Sequence, residues 1–187
     1  SGFADGMNIP YVPVEPEQVA ARRGMETATL LDAVESIRQR LLSARGKRPQ
    51  PGTDDKRITA VNGLMIGGLA LGYRALGEPA YLTAAERAAR FVLERLSDGS
   101  GGLLRRFRED TAGIGGFLDD YAFFIRGLID LYEASLDVEF LERALALSRV
   151  MLARFEDPRG GGLFTAPRDG ERLIADVKDV LDGAGPS

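Results

Sequence analysis

The sequence predicts an all-α fold of repeated antiparallel helical hairpins, part of a larger ring of helices, with short strands on one rim. Three observations carry that reading. Segments match one another at a spacing of 59 residues, nearly all-apolar helices alternate with one-sided amphipathic ones, and each copy runs into a cluster of glycines.

Residues 1–57 read as an extended N-terminal segment, a helix and a linker leading into the ring. Pro10, Pro13 and Pro16 favour extended backbone in the opening stretch. Leu30, Leu31, Val34, Ile37, Leu41 and Leu42 then recur at helical spacing and predict a helix over about 27–45, the outer helix of a preceding hairpin. Residues 47–56, rich in Pro, Gly and Asp, form the linker.

Residues 58–187 hold the repeat, with hairpins over about 58–115 and 116–175 and the start of the next. Ile66, Gly68, Leu69, Tyr73 and Ala75 recur as Ile125, Gly127, Leu128, Tyr132 and Ala134, and Ala85, Leu93, Arg95 and Asp98 recur as Ala144, Leu152, Arg154 and Asp157. The first helix of each copy, about 58–76 and 116–135, is apolar nearly all round, as an inner helix covered on most sides must be. The second, about 79–97 and 138–155, carries one apolar stripe (Tyr81, Leu82, Ala85, Ala89, Val92 and Leu96 in the first copy) opposite Glu86, Arg87, Arg90 and Glu94, and so reads as an outer helix. Pro79 suits the first helical position, where its missing N–H costs nothing. After the glycines, Leu103–Phe107 and Leu163–Thr165 are expected to be extended.

Composition excludes several chemistries. The 187 residues hold neither Cys nor His, so thiolate nucleophiles, Cys-ligated metals, disulfides and Ser-His couples are absent from them. Acid–base work is left to carboxylates, Lys, Tyr and Arg. A net charge of -4 gives no field for phosphate backbones, so nucleic acid is not expected as a partner. The longest apolar stretch, Leu64 to Gly72, falls far short of the roughly 20 residues of a membrane span. A membrane is not expected either, and the chain reads as cytoplasmic. No cofactor or metal is implied, since Asp54-Asp55 lacks calcium-loop spacing and neither glycine run leads into a phosphate-loop lysine.

The strings Asp54-Asp55-Lys56, Asn62-Gly63-Leu64-Met65-Ile66, Gly116-Phe117-Leu118-Asp119-Asp120-Tyr121-Ala122-Phe123 and Asp182-Gly183-Ala184-Gly185-Pro186-Ser187 occur in this order. In them the chain resembles the YyaL-like, spermatogenesis-associated thioredoxin-like family, although Val61 stands where that family commonly carries Trp. The resemblance implies an (α/α) six-hairpin toroid behind an N-terminal thioredoxin-like domain, with this chain an incomplete, middle part of the toroid. It also implies that inner-helix starts face a common cavity.

Residues at such places are the candidate site. Asp120 and Asp55 are candidate catalytic carboxylates, one as general acid and one activating water or attacking carbon. Lys56, Asn62, Asp119, Tyr121, Asp182 and the rim residue Arg106 are candidate substrate-binding groups. The same carboxylates equally suit helix N-termini, where they complement the dipole and free N–H groups. Arg105, Arg106 and Arg108 can either bind an anionic sugar or serve as a charged strand edge.

Two functions stay open. One is a cavity that binds or processes a carbohydrate or other small molecule, catalytically inert in the isolated segment because an incomplete ring closes no pocket. The other is a non-catalytic scaffold or protein-interaction domain attached to a thioredoxin-like domain. Self-association through exposed inner-helix surface around Phe123, Phe124 and Ile129 is expected in either case.

Overall fold

The computed structural model describes residues 11–170 and 177–178 and divides the chain into two compact units, Ser1–Thr53 and Asp54–Ser187. In the first unit, α1 (Pro16–Arg23) and α2 (Thr27–Gly46) pack together across Gly24, which ends α1 in the left-handed region at φ 65°. Pro16 opens a helix rather than continuing the extended segment. A proline at the first helical position has no intrahelical partner to lose. The apolar positions of α2 stay exposed, among them Leu31, Val34, Ile37, Leu41 and Leu42.

The second unit contains β1 (Arg57–Ile58), α3 (Thr59–Leu76), α4 (Pro79–Arg95), β2 (Leu104–Arg108), β3 (Thr111–Gly115), α5 (Leu118–Ser135) and α6 (Val138–Phe155). The inner helices α3 and α5 pack side by side, α4 covers α3, and α6 covers α5. Their core holds Ile66, Ala70, Ala85, Val92, Leu96, Tyr121, Phe124, Leu128, Phe140 and Phe155. The outer-helix stripes therefore point inward, as their spacing predicts.

The two copies match in their caps as well as their cores. Gly77 ends α3 at φ 69° and Leu136 ends α5 at φ 59°, and each is followed by an acidic N-cap: Glu78 accepts from Ala80 N and Asp137 from Glu139 N. After the outer helices, Ser97 bridges Leu103 and Glu156 bridges Leu163. Asp98 and Asp157 hold the two glycine loops by accepting loop N–H groups.

The rim differs between copies. The first copy makes a three-stranded antiparallel sheet, β1-β2-β3, in which Glu109 and Asp110, at φ 49° and 56°, form the two-residue turn between β2 and β3. Among the described residues the second copy forms a single bridge, between Glu156 and Leu163. Leu163–Thr165 shares the apolar pattern of a strand but belongs to no multi-residue strand among the described residues, although Thr165 donates its N–H to the Val177 carbonyl at 2.9 Å.

The inner helices also depart from the expected near-complete coverage. On α3, Val61, Leu64, Met65 and Leu71 are exposed, because α4 and α5 cover only part of its circumference. The surface expected around Phe123, Phe124 and Ile129 is not where exposure falls. Phe124 is fully buried against the core and Phe123 and Ile129 are half-buried, since α3 and α6 pack over α5.

Candidate functional site

The starts of the two inner helices meet at one carboxylate. Asp120, in the first turn of α5, has no exposed surface; its Oδ1 accepts from the Ala60 N–H at 3.0 Å, and its Oδ2 from the Phe117 N–H at 3.0 Å. The Phe117 bond satisfies one free donor of α5 and the Ala60 bond one free donor of α3. Arg105, on β2, donates to Asp120 Oδ2 at 3.0 Å and to Asp119 Oδ1 at 3.1 Å. Thr59 fastens the same junction by donating its hydroxyl to the Leu104 carbonyl at 2.6 Å.

Burial pushes the Asp120 carboxyl above its ordinary value, and the Asp119 charge adds to that rise. The Phe117 N–H, the Arg105 guanidinium and the Ala60 N–H pull the other way, and burial prevails. Asp119 and Arg105 differ from Asp120 in access, with 42% and 32% of their side-chain surfaces exposed. Arg105 also lies over the Phe117 ring, 5.0 Å from its centroid, and that ring is itself partly exposed.

The other candidates are distributed around this junction. Asp55 is exposed and pairs with Arg108 at 2.8 Å. Arg105 and Arg108 are three residues apart on one strand and so project to opposite faces, which holds Asp55 apart from Asp119 and Asp120. Lys56 pairs with its neighbour Asp54 at 3.2 Å. Asn62 donates to the Ile58 carbonyl at 2.8 Å and borders a groove toward α4 rather than the carboxylates. Tyr121 is fully buried; its hydroxyl oxygen accepts from Leu103 N at 2.9 Å and from Arg154 at 3.0 Å. Arg106 is partly buried, and its Nε has no hydrogen-bond partner among the described residues. Asp182 lies outside the described residues.

Residue types alone did not single out Arg154, which joins Tyr121, Asp98 and Asp169. Its only signal was its repeat equivalence to Arg95. For Arg105 the signal was strand alternation, which separates it from Arg106. Among the described residues no group of three or more Asp or Glu side chains is placed to hold a metal ion, and no helix is long and apolar enough to cross a membrane.

The relatives of this chain fit the architecture. No family model matches it. Spermatogenesis-associated protein 20 from Mus musculus is 37% identical over 197 residues, covering all of this chain and 25% of the mouse protein. The Homo sapiens protein is 37% identical over 196 residues with the same coverage, and an uncharacterised protein from Caenorhabditis elegans is 32% identical over 195. The chain thus spans about a quarter of the length of the curated relatives it matches.

Solved structures with the same hairpins include cellobiose 2-epimerase from Spirochaeta thermophila, with TM-score 0.54 and 23% identity over 59% of this chain and 29% of that one. Cellobiose 2-epimerase from Bacillus thermoamylovorans gives 0.56 and 19% over 62% and 30%, and a GH76 α-mannanase from Bacteroides thetaiotaomicron gives 0.53 and 22% over 62% and 33%. At these identities the likeness concerns the fold. With the end-to-end match at the sequence level and the toroid hairpins in the structure, the chain resembles a toroid segment of spermatogenesis-associated protein 20, a quarter of that protein's length.

Proposed function

We propose that the rim at the start of α5 is a carbohydrate-binding site, with Arg105, Asp119 and the Phe117 ring as its ligand-facing groups. The observation that carries this reading is the division of labour between adjacent carboxylates: Asp120 is fully buried and hydrogen-bonded, while Asp119 and Arg105 remain accessible beside it. Asp120 is then a positioning residue, since a carboxylate with no exposed surface holds the rim together without touching a ligand. Asp119 accepts from sugar hydroxyls, Arg105 donates to them, and Phe117 offers an apolar ring to a sugar face. The solved structures of similar fold act on cellobiose or are a mannanase, which supports a saccharide as the ligand class.

Calorimetric titration of the chain with cellobiose and with mannobiose tests the proposal. Saturable binding is expected, weakened about tenfold or more by Asp119→Asn, as loss of a charge-assisted hydrogen bond implies. Absence of binding to either sugar, or binding indifferent to Asp119→Asn, overturns it. The exposed apolar faces of α2 and α3 favour a second reading, a non-catalytic protein-interaction domain. Under that reading neither sugar binds.

A further inference from the structure

A groove between the start of α3 and the middle of α4 has the makings of a separate anion site. Arg57, Asn62, Ala84, Arg87, Ala88 and Phe91 line it, around a volume of about 300 Å³. That lies at the small end of ligand pockets, suited to one sugar ring rather than a chain.

Charge is the distinguishing feature of this groove. Two arginines border it and no carboxylate does. Elsewhere on α4 the arginines have acidic partners: Arg90 pairs with Glu86 and Asp137, and Arg95 with Asp110. Among the described residues Arg57 and Arg87 make no ion pair. Arg57 is instead stacked 5.3 Å from the Phe91 centroid and 5.5 Å from that of Phe107, which orients its guanidinium without using its N–H donors.

Asn62 supplies the neutral polar group. Its amide nitrogen donates to the Ile58 carbonyl, which fixes the side chain and leaves a second N–H and the Oδ1 acceptor for hydroxyls. Ala84 and Ala88 keep the α4 side low. The groove is distinct from the rim described above, because none of Arg105, Phe117, Asp119 and Asp120 lines it.

We propose that this groove binds a monosaccharide-sized oxyanion, a sugar phosphate or a uronate, through Arg57 and Arg87 with Asn62 reading a hydroxyl. Phosphate and carboxylate share the fork geometry that a guanidinium recognises.

Calorimetry on the full chain with glucose 6-phosphate, glucuronate, glucose and inorganic phosphate tests it at low salt. Saturable binding of glucose 6-phosphate or glucuronate is expected, with glucose silent, and the tighter of the two identifies the anion. Arg87→Gln, an exposed substitution on α4, is expected to weaken binding about tenfold, whereas Arg149→Gln on α6 leaves it unchanged. Amide resonances of Asn62 and Ala88 are expected to shift on titration. The proposal is overturned if neither charged sugar binds, if Arg87→Gln binds as well as the parent chain, or if inorganic phosphate binds as tightly as glucose 6-phosphate, which would mark an adventitious ion only.

Discussion

Leu136 holds a backbone conformation that an L side chain adopts at a cost. It ends α5 at φ 59°, the position that Gly77 occupies at the end of α3 with φ 69°. Left-handed backbone costs a non-glycine residue about 1–2 kcal/mol, and Leu136 recovers little by packing because it is 78% exposed. Leu136→Gly is therefore expected to stabilise the chain by about 1 kcal/mol, offset in part by the greater entropy of unfolded glycine. An unchanged or lower urea midpoint would contradict that. Asp120 and Tyr121 show what the same scale conceals from sequence. Both are polar residues at a helix start beside an apolar run, and both are fully buried. Their long-range partners, Ala60 and Arg105 for one and Leu103 and Arg154 for the other, come from segments 15 to 60 residues away in the chain.

Among the elements, the contact that organises the fold is the seam between α3 and α5. A Cβ on Gly63 would lie 2.5 Å from the Phe123 carbonyl, and one on Gly127 would collide with the Gly63 carbonyl oxygen. Backbone on both sides leaves no flexible side chain to yield. Gly127→Ala is expected to destabilise the chain by about 1–3 kcal/mol despite the better helix propensity of alanine. The repeat supplies a control at its equivalent position. Gly68 aligns with Gly127 but meets nothing within 4 Å, so Gly68→Ala is expected to stabilise the chain by up to about 1 kcal/mol through propensity alone. Urea denaturation that moved both variants in the same direction would refute this account of the seam. Sequence period made α2 to α6, their order and their apolar stripes legible, because period 3.6 is a local property, whereas the eight residues of α1 were expected to be extended. The sheet was legible only in part. Leu103–Phe107 and Leu163–Thr165 look alike in composition, and among the described residues only the first enters a multi-residue strand pairing.

At the scale of the whole molecule, each compact unit carries an uncovered apolar stripe. On α2 it comprises Leu31, Val34, Ile37, Leu41 and Leu42, and on α3 Val61, Leu64, Met65 and Leu71. Stripes of this kind remain costly in water, so concentration-dependent association of the chain is expected in light scattering. Met65→Glu is expected to reduce it, whereas a monomer at all concentrations would exclude it. The sequence by itself determined the all-α class, the 59-residue repeat, the inner and outer roles of the helices and the absence of thiol and imidazole chemistry, since these follow from local periodicity and composition. Tertiary structure alone decided which carboxylate is buried, which arginine holds it, and which face of α3 stays open. Those outcomes depend on contacts between segments distant in the chain, and a helix start has the same sequence signature whether its carboxylate meets water or another helix.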